Sequence, residues 1–151
     1  MKKDTYIFDL DGTLSDCEHR KVMEIKNGVP KMNWFQFNRN VDKDLPIQNI
    51  IKLFKHLRGN DVEILIYTGR YDNHKKVTLE WLAKYGVVAD KIRMRKVGDS
   101  RADTVLKKTW LDEDFGDDYS NLICAFEDRN KMVDFYRSIG ITCLQVATSD
   151  I

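Results

Sequence analysis

Short apolar runs that each stop at an acid or a hydroxyl, alternating with helix-period stripes, constrain this chain more than any other feature. Tyr6-Ile7-Phe8 stops at Asp9, Val62 to Tyr67 stops at Thr68, and Leu122 to Phe126 stops at Glu127-Asp128. A fourth run spans Ile141 to Val146, and Ile92-Arg93-Met94 is a weaker one. Each is short enough for a buried strand. Helical stripes fill the gaps. One opens at Pro46, with Ile47, Ile50, Ile51, Phe54 and Leu57, and closes at Gly59. The others carry Val77, Trp81, Leu82 and Tyr85; Val105, Leu106 and Trp110; and Met132, Val133 and Tyr136, the last stopped by Gly140. Strand–helix alternation predicts an α/β fold, a Rossmann-like doubly wound parallel sheet.

Ser15 to Asp44 breaks the alternation. It is polar apart from an aromatic knot at Trp34, Phe35 and Phe37. We expect a small cap insertion at about 15–45, with one helix near Glu18–Lys26 and another near Asn33–Val41. The whole of 1–151 reads as a single domain.

Charge narrows the function. With 25 Lys+Arg against 24 Asp+Glu the formal net charge is +1, which argues against coating nucleic acid by bulk charge. Locally the balance differs. Lys91, Arg93, Arg95, Lys96 and Arg101 face one acid, Asp99, and read as a track for a nucleic-acid backbone or as a solvated face. Leu111 to Asp118 carries five acids and no base. Cys17, Cys124 and Cys143 form no CxxC or Cys/His cluster, so no zinc site is expected. Sparse cysteines, no signal-peptide core and no membrane-length apolar stretch lead us to expect an intracellular, cytoplasmic protein without a membrane partner.

The polar strand ends carry the chemistry. In an open α/β sheet, ligands bind beyond the carboxyl ends of the strands, so Asp9, Thr68 and Glu127-Asp128 should converge. Several carboxylates meeting at one buried place imply a hard cation, and oxygen-only ligands suit Mg²⁺.

The run Asp9-Leu10-Asp11-Gly12-Thr13-Leu14 resembles the first motif of the haloacid dehalogenase superfamily of phosphotransferases. Thr68-Gly69-Arg70 resembles its second motif, Lys107 stands where its third-motif lysine belongs, and Glu127-Asp128 resembles its acidic fourth motif. On that resemblance Asp9 is the nucleophile, forming an aspartyl-phosphate. Asp11 is the acid that protonates the leaving oxygen and then the base that activates water. Mg²⁺ would be held by the Asp9 carboxylate, the Asp11 carbonyl and one of Glu127 and Asp128, while Thr68 and Lys107 would hold phosphoryl oxygens.

A closer resemblance, to the 3′-phosphatase domain of bacteriophage polynucleotide kinases, rests on Gly98-Asp99-Ser100-Arg101-Ala102-Asp103 with Val105-Leu106-Lys107, and on Glu127-Asp128-Arg129 with Met132-Val133-Asp134. It implies removal of 3′-phosphates from polynucleotide ends, in end healing and repair. It further implies that Arg20, Gly69 and Arg70 bind substrate and that Asp103 orients Lys107. No P-loop motif occurs, so no ATP site is expected and the length suits a stand-alone phosphatase. Two alternatives remain open: a nucleotidase acting on free mononucleotides, and a phosphate-binding module without catalysis. Oligomeric state is not readable from these residues.

Overall fold

The computed structural model describes residues 2–151. Its centre is a five-stranded parallel sheet. In chain order, β1 (Thr5–Phe8) is followed by a two-residue strand β2 (Ser15–Asp16), a hairpin of β3 (Met23–Lys26) and β4 (Val29–Met32), a short helix α1 (Trp34–Phe37) and a two-residue strand β5 (Leu45–Pro46). Then come α2 (Gln48–Arg58), β6 (Glu63–Tyr71), α3 (Lys75–Lys84), β7 (Lys91–Arg95), α4 (Asp103–Phe115), β8 (Leu122–Arg129), α5 (Asn130–Ser138) and β9 (Cys143–Ser149). The sheet order is β7-β6-β1-β8-β9, and every neighbouring pair is parallel. From β1 the chain winds outward through β6 and β7, then crosses back to wind the other way through β8 and β9. The direction reverses at β1, so Asp9 leaves the sheet where such folds bind ligands.

Period-two alternation splits the core between the faces. Ile7, Leu65, Tyr67 and Ala125 face Leu106, Trp110 and Leu111 of α4 and Met132, Val133 and Tyr136 of α5. Phe8, Ile64, Ile66, Cys124 and Phe126 face Ile51 and Phe54 of α2 and Trp81 and Leu82 of α3. Phe8 stacks on Phe126 with ring centroids 4.3 Å apart and meets Phe54 at 5.0 Å, locking the strand that delivers Asp9.

The insertion departs from the sequence reading. Glu18–Lys26 is not a helix: Glu18–Arg20 makes one 3-10 turn, and Met23–Lys26 is the first arm of the hairpin. Asn27 and Gly28, both at positive φ (51° and 75°), form its tip. An Asn-Gly pair in that conformation matches the twist of a two-residue hairpin, which outweighs helix propensity in the preceding residues. The helix expected over Asn33–Val41 shrinks to Trp34–Phe37, capped by Asn33 Oδ1 accepting from the Gln36 N–H at 3.0 Å. Pro46 does not open α2. It pairs with Ser15 in a two-stranded ribbon that pins the neck of the insertion, and Ile47 donates to Leu14 O at 2.9 Å before the helix begins. The last strand starts at Cys143, two residues after Ile141.

The basic run is not a free track. Lys91 and Arg93 lie on edge strand β7 and pair with Glu113 and Asp114 of α4, Arg93 reaching Asp114 at 2.6 Å. Arg101 pairs with Asp99 at 2.8 Å. Lys91 and Arg93 of the basic block are therefore neutralised by Glu113 and Asp114 of the acidic one, while Lys96 stays exposed. Tyr67 donates to Asp114 at 2.5 Å. Burial disfavours the charged form of Asp114, but hydrogen bonds from Arg93, Lys91 and Tyr67 outweigh it and hold its pKa at about 2. The group is thus depressed below its unfolded value of about 3.9. Its stabilising effect is complete above that value and is lost as pH falls toward 2. Asp114→Asn should lower the urea midpoint at pH 7, and its gap to the native chain should close between about pH 4 and pH 2.

Candidate active site

Asp9 follows β1 directly, and its own N–H donates to Phe126 O of β8 at 3.0 Å, so the first acid is stitched to the strand carrying the last two. Lys107 reaches the same place from α4. It lies on the face with Leu106, Trp110 and Leu111 and is buried, whereas Lys108 points outward and pairs with Asp112. Lys107 Nζ donates to Asp9 Oδ1 and to Glu127 Oε2, both at 3.0 Å. Glu127 Oε1 accepts from the N–H groups of Asp128 and Arg129 at 3.1 and 3.3 Å. Both Glu127 oxygens are therefore engaged. Asp128 differs: its Oδ1 is buried with no hydrogen-bond partner.

Three carboxylates, Asp9, Glu127 and Asp128, thus crowd around one ammonium, which bonds only the first two. Ligand oxygens of all three lie within 4.8 Å of one another. Burial, then the charge of Glu127, pushes Asp9 well above the ordinary carboxyl range and Asp128 up to about 7. Burial alone would lower Lys107, but Asp9 and Glu127 outweigh it and keep the amine firmly protonated. Excess negative charge and an orphaned buried carboxylate oxygen fit a divalent cation with oxygen ligands.

A second cluster sits beside the first, under the insertion. Asp11 accepts from Arg70 Nη2 at 2.7 Å and from Arg20 Nη2 at 2.6 Å. Both guanidiniums also hold Asp44, Arg20 through Nε at 2.8 Å and Nη2 at 2.9 Å, and Arg70 at 3.0 Å. Arg70 further donates to Thr78 at 3.1 Å, and Arg20 lies over the Phe37 ring at 4.5 Å and bonds the Phe37 carbonyl. Two acids and two bases balance here. Burial disfavours the Asp11 anion, yet Arg70 and Arg20 outweigh it and hold its pKa at about 2.

A third cluster closes the rim. Asp103, the first residue of α4, pairs with Arg95 and Arg129. This corrects the expectation that Asp103 orients Lys107, whose hydrogen bonds go to Asp9 and Glu127 instead. At the first turn of α4 the Asp103 carboxylate lies against Gly69, where an added Cβ would stand 2.9 Å from its Oδ1. One acid with two guanidiniums leaves this wall net positive.

The clusters surround one cavity of about 420 Å³, lined among others by Asp9, Asp11, Thr68, Gly69, Arg70 and Asp128. Thr68 and Glu127-Asp128 lie within their strands, which run on to Tyr71 and Arg129 past register shifts. Thr68 Oγ1 accepts from the Arg70 N–H at 3.2 Å. Lys107 is buried just below the cavity against Asp9. Asp44 and Thr13 are absent from the site residues singled out in the sequence, and Arg95 and Arg129, named there only in the basic run and the acidic motif, meet at Asp103. Thr13 was within reach, since it is part of the quoted motif; its hydroxyl lies 3.4 Å from Asp9 Oδ2. Asp44 gives no local sign, because Asp42 stands beside it in the same polar stretch and long-range pairing alone selects between them.

Gly12 is required twice. Its φ is +83°, and a Cβ there would run into the Asp128 carboxylate. Gly12→Ala should cost roughly 1–2 kcal/mol in backbone conformation alone. It should also displace Asp128 and so weaken divalent-cation binding far more than it lowers the melting temperature; metal titration and thermal denaturation together check this.

Comparison with known proteins agrees with this geometry. A family model described as the polynucleotide kinase PNKP phosphatase domain matches residues 3–151. A chain in the structure of the Pnkp1/Rnl/Hen1 RNA repair complex superposes with a TM-score of 0.81 at 26% identity, covering 99% of this chain and 44% of that one. A second structure of the Pnkp1/Rnl/Hen1 complex gives 0.79 at 26% identity, covering 99% and 47%. This chain spans less than half the length of those relatives. A hydrolase from Streptococcus pneumoniae TIGR4 shares the fold at 14% identity, with a TM-score of 0.58 over 98% of this chain and 95% of that one. The chain is thus a haloacid dehalogenase-type phosphatase and belongs to the polynucleotide kinase PNKP phosphatase-domain family.

Proposed function

We propose that this phosphatase is a Mg²⁺-dependent phosphomonoesterase working through an aspartyl-phosphate, and that it removes 3′-phosphates from polynucleotide ends during nucleic-acid repair. The observation that carries the chemistry is Asp9 itself. It is a buried carboxylate at the end of the central strand, facing the cavity, with one oxygen on Lys107 and an uncompensated acid, Asp128, beside it. The polynucleotide substrate is supported by the family match over 3–151 and by the likeness to a chain of an RNA repair complex.

In this reading Asp128, rather than Glu127, is the fourth-motif acid that meets the metal, since both Glu127 oxygens are committed to Lys107 and backbone N–H groups. Asp9, Asp128 and the Asp11 carbonyl would hold the ion. When bound, Mg²⁺ offsets the repulsion between an anionic nucleophile and an anionic phosphate. Asp9 attacks phosphorus and the bond to the leaving oxygen breaks. Asp11 gives that oxygen a proton, then takes one from the water that hydrolyses the aspartyl-phosphate. Lys107 and Thr68 stabilise charge developing on the transferring group.

Asp11 faces a constraint of its own. Held by two guanidiniums, it is ionised in the free protein, and an ionised carboxylate cannot act as an acid. An arriving phosphate dianion competes with Asp11 for Arg70, which lines the cavity, while Arg20 stays tied to Asp44 and the Phe37 carbonyl. Loosening the Arg70 pair lets Asp11 gain a proton as the substrate binds. Arg70 thus serves both substrate binding and the timing of the acid.

Asp9→Asn should lower turnover of an aryl phosphate by roughly 10⁴-fold. It should leave the melting temperature unchanged or raised, because it removes one of three like charges around Lys107. Equal hydrolysis by variant and native chain would refute the nucleophile assignment. EDTA should abolish activity and added Mg²⁺ restore it. Phosphate release from a 3′-phosphorylated oligonucleotide should exceed that from free mononucleotides, and the reverse order would make the chain a nucleotidase.

A further inference from the structure

The space around Asp9 continues past the insertion. A second cavity of about 670 Å³ adjoins the first and shares Trp34, Asn38 and Tyr71 with it. Phe35, Arg39 and His74 line this second space. Its aromatic rings are not the core of the insertion. Phe37 fills that role, at 6% exposure beneath Arg20, while Trp34 is 46% and Phe35 73% exposed. Two large rings partly open to solvent and side by side next to the cavity form the kind of exposed apolar patch that marks a binding surface.

Resting on the function proposed above, we propose that this groove is a stacking platform for the bases preceding the terminal 3′-phosphate of a single-stranded polynucleotide, with Trp34 at its mouth and Phe35 further out. Four observations select that occupant. The groove is continuous with the cavity that receives the phosphate, so a chain anchored at Asp9 runs into it. Its rings lie on different elements, Trp34 and Phe35 on α1, Tyr71 at the end of β6 and His74 in the turn before α3, an arrangement open to flat bases of any identity. His74 is lowered by burial and by the charges of Arg70 and Arg20, so it presents a neutral ring. Finally, Arg95 and Arg101 are tied to Asp103 and Asp99, but exposed Arg39, which lines the groove, has no ion-pair partner among the described residues. Arg39 lies over the Phe35 ring at 5.6 Å, where a cation can meet a backbone phosphate while the ring meets a base. A mononucleotide would occupy the first cavity and gain nothing from the second.

The test is a length series: 3′-phosphorylated thymidylates of one, two, three and six nucleotides, with p-nitrophenyl phosphate as a reference that cannot reach the groove. The expected kcat/KM, relative to the aryl phosphate, rises by about tenfold or more from monomer to trimer. Phe35→Ala should collapse that rise to within about twofold, and Phe35→Trp should restore it. A ratio independent of length, or a rise that survives Phe35→Ala, overturns the platform while leaving the 3′-phosphatase reading intact. Hydrolysis of the aryl phosphate with no turnover of any oligonucleotide overturns both.

Discussion

Lys107 is the interaction on which the rest of the site depends. Parallel strands that end together bring Asp9, Glu127 and Asp128 into one buried volume, and burying carboxylates without counter-charge is strongly unfavourable. The ammonium of α4 answers two of them directly. It cannot answer the third. Its position also couples helix packing to the site: α4 packs on the sheet through Leu106, Trp110 and Leu111, and the same helix turn presents Lys107 to the strand ends. Removing Lys107 would leave three buried acids facing one another.

Charge is graded across the cavity rather than spread evenly. Beneath Asp9, acids exceed bases three to one. Under the insertion, Asp11 and Asp44 balance Arg20 and Arg70. At the rim, Asp103 faces Arg95 and Arg129. A phosphate entering from the rim meets net positive charge first and the acid-rich floor last. Asp44 does two things in this arrangement. It takes part of the charge of Arg20 and Arg70, and its carbonyl accepts from Trp81 Nε1 at 2.8 Å, fastening the insertion to α3. The insertion is therefore part of the active site's electrostatics as well as its wall.

The sheet and its helices were legible because their signals are local. Runs such as Val62 to Tyr67 fit no element but a buried strand, and the stripes of α2, α3 and α5 recur at helical spacing. Asp9, Thr68 and Glu127-Asp128 were legible as well, because each follows an apolar run and parallel topology gathers strand ends. The insertion was misread where polar residues carry little periodicity. Its one decisive signal, Asn27-Gly28, marks a hairpin that the helix reading passed over. The charge blocks at 91–101 and 111–118 were legible as composition, but their partial pairing was not. Linear spacing does not show that β7 lies alongside the end of α4.

From the sequence alone follow the α/β class, the succession of the main strands along the chain and the set of acids that must meet. These depend on side-chain periodicity and on which residues can end a buried strand. Tertiary structure alone decided which base each acid keeps. Asp103 goes to Arg95 and Arg129 instead of Lys107, Glu127 is consumed by Lys107 and the backbone, and Asp128 keeps a free oxygen. The physical reason is that a buried charge is settled by partners within a few ångströms in space, and those partners lie up to 98 residues away along the chain.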